Sequence, residues 1–132
     1  MNTQSTNTPF AEVEGAIRSP ANPNHFMVVQ NVEKRVRMYV GDLLVADTTK
    51  ALRVIEMSHH AYEPRFYIPG EDILADLTKT DTATHCPLKG DASYFSIDGV
   101  EMGWRYTPLE FAHILEGHYS FWGLQIRIVE GE

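Results

Sequence analysis

The chain has one cysteine in 132 residues, so no internal disulfide can form, and the C-x-x-C pairs that build structural zinc sites are absent. A reducing, cytoplasmic setting is the expectation. No run of eighteen apolar residues occurs, and the first nine residues lack the basic start and apolar block of a signal peptide, so neither membrane spanning nor secretion is expected. Positive charge is scarce: eleven Lys and Arg stand against eighteen Asp and Glu, a formal charge of -7. A protein that tracks phosphates would need a local basic patch working against that field. The nearest approach to one is Lys34, Arg35 and Arg37, too sparse for nucleic acid. Gly-rich phosphate loops and the elbow context of a serine hydrolase are missing as well.

What is present fits a single folded domain. With 43% hydrophobic and 22% charged residues the chain carries enough apolar mass for one core, and a chain of this length buries roughly two thirds of its unfolded surface. Residues 1–22 mix Asn, Thr, Ser and Pro and read as a flexible arm, leaving 23–132 as the domain. Val36, Met38 and Val40 alternate with Arg35, Arg37 and Tyr39, the period of a strand with one buried face, and Gly41-Asp42 turns it back into 43–47. Further strands are expected at 51–57, 65–68, 92–97, 100–106 and 124–129, with Asp98-Gly99 as a strong hairpin signal.

Two short helices are also expected. Pro69-Gly70 followed by Glu71-Asp72 and the spacing of Ile73, Leu74 and Leu77 predict one over 71–78. Thr107-Pro108-Leu109-Glu110 predicts a capped start for a second, with Phe111, Ile114 and Leu115 as its stripe. Seven or eight short strands without a repeated β-helix-β rhythm make the fold mainly β and antiparallel.

The ordered set Arg35-Val36-Arg37, Val45-Ala46-Asp47-Thr48, Glu56, Tyr67-Ile68-Pro69 with Asp72, Cys86-Pro87-Leu88-Lys89-Gly90, Tyr94 and Trp104-Arg105-Tyr106 resembles the domain of unknown function family 427, which also carries a nucleotidyltransferase label. The resemblance runs from about Pro20 to the C-terminus. It implies an antiparallel β-tent, or Mss4-like, arrangement and no assigned reaction. Members of the wider β-tent class often hold zinc with two cysteine pairs; with one cysteine here, the resemblance implies no metal.

Chemistry is most concentrated at residues 85–90, where Cys86 and Lys89 flank a Pro-Gly turn. A thiol beside an ammonium ionises more readily, which suits a nucleophile, yet a free cysteine also serves as a small buried hydrophobe. Lys89 reads either as a solvated turn residue or as the partner of an anionic ligand, Glu56 or Asp72. Glu56 shares a strand face with Leu52 and Val54, as an edge carboxylate or as an acid at a pocket wall. Cys86, Lys89 and Glu56 are therefore the candidate catalytic residues. Arg37, Tyr67, Asp72, Tyr94, Trp104 and Tyr106 are candidate ligand-binding residues, since a few polar groups in an aromatic wall describe a small-molecule pocket. The expected partner is a small polar or anionic ligand of unknown identity, with no nucleic acid and no membrane. An enzyme using Cys86 or Glu56, and a homo-oligomeric interaction protein, stand as alternatives.

Overall fold

The computed structural model describes residues 13–131. Within them the chain forms eleven strands, all paired antiparallel: β1 (Ile17–Ser19), β2 (Asn22–Asn31), β3 (Val36–Val40), β4 (Leu43–Thr48), β5 (Leu52–Met57), β6 (Arg65–Pro69), β7 (Thr78–Cys86), β8 (Gly90–Ile97), β9 (Val100–Pro108), β10 (His118–Phe121) and β11 (Ile126–Glu130). Eight lie in one sheet in the order β1-β2-β5-β6-β10-β9-β8-β7, and three in a second, β11-β3-β4.

The clearest patterns in the sequence become the hairpins. In β3 the alternation buries Val36 and Met38 completely, while Arg37 and Tyr39 on the other face stay partly exposed. The β8–β9 turn places both Asp98 (φ 51°) and Gly99 (φ 81°) in the left-handed region, as a two-residue turn matching strand twist requires. At the β7–β8 turn Cys86 pairs with Gly90, so Pro87, Leu88 and Lys89 make a three-residue loop. Gly90 has φ 116°, and a Cβ there would lie 2.2 Å from the Thr107 carbonyl oxygen.

Neither expected helix forms. After a single 3-10 turn at Gly70–Asp72 the chain runs extended beside β4, with the Leu74 and Ala75 amides donating to the Val45 carbonyl. Ile73, Ala75 and Leu77 pack on the core at period two while Leu74 is 58% exposed, so the apolar spacing read as helical is that of an extended segment. The second segment is also 3-10, Glu110–Leu115, broken at Ala112. Thr107 belongs to β9 and caps nothing; Ala112 and Leu115, three apart, are buried, whereas Phe111 and Ile114 face outward. The strand count exceeds expectation because β7 and β10 carry weak apolar signals and β2 begins among the prolines Pro20 and Pro23. Part of the stretch read as an arm is the edge strand β1, paired with β2; residues 1–12 lie outside the described residues.

Two apolar clusters fill the interior. The first joins Val36, Met38, Val45 and Ala46 of the small sheet to Ile68, Ile97, Met102 and Phe121 of the large one. The second lies within the large sheet: Met27, Leu52, Val54 and Tyr67 with Leu88, Ala112 and Leu115. β6 serves both halves of that sheet, since Arg65 to Tyr67 pair with β5 and Ile68 and Pro69 pair with β10.

Candidate functional site

Beside the second cluster the two halves of the large sheet enclose an open cavity of about 420 Å³. Its wall is built in pairs two residues apart, each pair on one strand face: Val54 and Glu56 of β5, Arg65 and Tyr67 of β6, Trp104 and Tyr106 of β9. His25 of β2, Tyr62 and Glu63 of the β5–β6 loop, and His85, Cys86, Pro87 and Lys89 at the β7–β8 turn complete it.

At its centre is a polar chain. The Lys89 ammonium donates to Glu56 Oε1, and His25 Nε2 lies 2.7 Å from Glu56 Oε2. Lys89 is 6% exposed and His25 9%, so these groups are largely withdrawn from water, and each polar end is met by a partner as burial demands. The Lys89 backbone amide donates to Cys86 Sγ at 3.4 Å, closing the turn around the sulfur. A His25 ring nitrogen, a Glu56 carboxylate oxygen and Cys86 Sγ all lie within 4.8 Å of one another, a set able to hold a metal ion.

The aromatic wall is linked to this chain. Trp104 Nε1 donates to the Tyr67 hydroxyl at 3.1 Å, their rings meeting edge to face at 6.3 Å, and Lys89 Nζ sits 5.3 Å from the centre of the Tyr106 ring. Arg65 lies over the Trp104 ring at 5.7 Å. Burial pushes the Tyr67 phenol well above its ordinary pKa, with the Trp104 hydrogen bond opposing. Burial raises Tyr106 likewise, helped by Tyr67, Cys86 and Glu56 nearby. Both phenols stay protonated, so each hydroxyl keeps a proton to donate.

Of the nine candidate residues, Cys86, Lys89, Glu56, Tyr67, Trp104 and Tyr106 line this cavity; the other three lie elsewhere. Arg37 donates to the Gly131 carbonyl at 3.3 Å, Asp72 accepts from Thr48 Oγ1 at 2.6 Å, and the Tyr94 hydroxyl pairs with Thr84 Oγ1 at 3.0 Å. A wider hollow of about 570 Å³ near Ile114 and His118 gathers none of the nine. Sequence reasoning missed His25. Its signal was the period-two series His25, Met27, Val29, whose last two members pack in the second cluster. His85, adjacent to Cys86 in sequence, is instead exposed at the rim and bonded to Asp91 at 2.7 Å.

Fold and cavity define a mainly antiparallel β protein with a mixed polar and aromatic pocket. The chain belongs to the family described as Domain of unknown function (DUF427), which it matches over residues 28–131. No curated protein matches it closely enough to lend it an activity. Among the described residues no helix is long and apolar enough to cross a membrane.

Proposed function

We propose that the protein binds a small polar or anionic molecule in the cavity between the halves of its large sheet. One observation carries this reading: six side chains from four separate stretches of sequence, named for their chemistry, line a single cavity around a largely buried Lys89–Glu56–His25 chain. Trp104, Tyr106 and Tyr67 supply flat apolar walls; Lys89 and Arg65 supply positive charge; the protonated phenols supply donors. The implied β-tent, Mss4-like class is proposed on the same footing, supported by β6 being shared between the two halves.

The test is thermal unfolding of the full chain against nucleotides, amines and carboxylates at millimolar concentration. Some member should give a stabilisation that grows with the logarithm of its concentration, about 2.7 kcal/mol at a hundredfold excess over Kd, that Trp104→Ala reduces. No shift across the panel overturns the reading.

A second reading is favoured by the closeness of Cys86 to His25 and Glu56: an enzyme with Cys86 as nucleophile and the His25–Glu56 pair as base. It predicts fast iodoacetamide labelling of the native protein near neutral pH, and a thiol reactive only after denaturation removes it. Metal-dependent nucleotide chemistry between Glu56 and Asp72 has no geometric support, because Asp72 is bonded to Thr48 away from the cavity.

A further inference from the structure

His25, Glu56 and Cys86 are far apart along the chain and arrive from three different strands, β2, β5 and the end of β7. Imidazole, carboxylate and thiolate are the three donor types that zinc accepts, and three protein donors with one open position is the arrangement of a reactive zinc site. We propose that these three side chains bind a divalent transition ion of the zinc type, with its fourth position facing the cavity. The inference shares the cavity with the ligand reading but does not depend on it.

Distances carry the proposal first. Bond lengths of about 2.3 Å to sulfur and about 2.0–2.2 Å to nitrogen and oxygen put tetrahedral donors roughly 3.3–3.7 Å apart. The donors here lie within 4.8 Å of one another, so side-chain movements of about an ångström or less bring them to one ion. The surroundings argue the same way. The Lys89 amide already points at Cys86 Sγ, the hydrogen bond a metal-bound thiolate accepts, and the Lys89 ammonium holds the Glu56 oxygen Oε1, leaving Oε2 toward His25. Neighbours of this kind fix ligand orientation before the ion arrives.

The protons balance. The ion takes the place of the proton between His25 Nε2 and Glu56 Oε2 and displaces the thiol proton of Cys86. The neutral imidazole keeps one proton on its other nitrogen, and protons are released to solvent on binding. The sequence-based expectation of no metal rested on the absence of paired cysteines. That consideration does not reach a mixed set that includes His25.

The test uses the tag-free full chain, freed of metal by chelator and titrated with Co²⁺. Binding should be one to one, with a thiolate-to-cobalt charge-transfer band and the ligand-field bands of a four-coordinate ion, and Zn²⁺ should abolish both. Cys86→Ser, close in shape and expected to fold, should lose the charge-transfer band. His25→Gln and Glu56→Gln should each weaken binding at least about 10-fold. His85→Gln should change nothing, because His85 is bonded to Asp91. Should either buried-site variant fail to fold, slower iodoacetamide labelling of wild-type Cys86 in the presence of Zn²⁺ gives the same answer. No charge-transfer band at saturating Co²⁺, or loss of binding in His85→Gln with none in His25→Gln, overturns the proposal. A silent metabolite panel with an intact cobalt spectrum sinks the ligand reading alone; a responsive panel without that spectrum sinks the metal site alone.

Discussion

The two apolar clusters belong to one fold and differ in what borders them. The first, between the small and large sheets, consists of aliphatic, Met and Phe side chains, and its stability follows from apolar area removed from water. The second contains Tyr67, touches Cys86, Trp104 and Tyr106, and adjoins the buried Lys89 and His25 and the half-buried Glu56 between them. Buried ions cost desolvation that their mutual attraction only about repays, so stability alone does not favour them there. One side is therefore sensitive to volume and the other to charge balance.

The largest effect should come from unbalancing the charge. Lys89→Ala leaves Glu56 buried against His25 alone and is expected to cost about 3–5 kcal/mol in urea unfolding. The double variant Lys89→Met with Glu56→Gln removes both charges, keeps an acceptor for His25, and should recover most of that loss. A single variant costing under about 1 kcal/mol would mean that water already screens the pair. On the other side Met38→Ala should cost about 2–5 kcal/mol through the cavity it leaves, whereas Met38→Leu, which conserves volume, should stay within about 1.5 kcal/mol. Neither Met38 change should alter labelling of Cys86. An altered rate would show that the two clusters are not separable.

This contrast also explains what could be read from the chain. The β3–β4 and β8–β9 hairpins were legible because one face of each meets the core and their turns need residues such as Gly41 and Asp98-Gly99. β7 was not, since Thr78–Cys86 is an edge strand mostly open to solvent, and nothing forces its residues to alternate. Ile73 and Leu77 fit helical spacing as well as period two, and only the pull of β4 on the intervening backbone decides between them. At the site, Cys86, Lys89, Glu56 and the aromatic residues announced themselves by type. His25 did not, because Pro20 and Pro23 made its surroundings look like loop. At this end of β2, ladder pairing with β5 begins only at Phe26, so the missing Pro23 donor is tolerated. Arg37, Asp72 and Tyr94 were among the residues that carried the resemblance, but they pair away from the cavity.

A finer test of the cavity side is the Trp104–Tyr67 hydrogen bond. Trp104→Phe leaves the buried Tyr67 oxygen without its donor and should cost about 1–3 kcal/mol; a double-mutant cycle with Tyr67→Phe should give a coupling near 1 kcal/mol. Zero coupling would make the wall a set of independent rings. The same burial makes this side sensitive to alkali. Tyr67 and Tyr106 have folded pKa values raised above the ordinary value of about 10, so the unfolded chain loses their protons first. Stability should be whole below pH 10 and fall above it. Phenolate absorbance should show two tyrosines that ionise only on unfolding, and a full complement titrating in the native protein would contradict the burial.

The smallest effect belongs to the other side and appears in acid. Arg35 grips Asp47 with two hydrogen bonds, at 2.8 and 2.7 Å, and holds its carboxyl below the usual carboxylate range. A lowered folded pKa gives stability that is present above the unfolded value of about 4 and is lost as pH falls through the folded one. The pair is partly solvated, with 38% and 24% of the two side chains exposed, so its contribution should stay below about 1 kcal/mol. Asp47→Asn should thus lower the urea midpoint slightly at pH 6, and that penalty should shrink as pH falls below the unfolded value of about 4, other carboxylates cancelling in the difference. A penalty that persisted undiminished in acid would assign Asp47 a packing role. The small sheet, unlike the cavity, would then depend on a side chain whose charge is incidental.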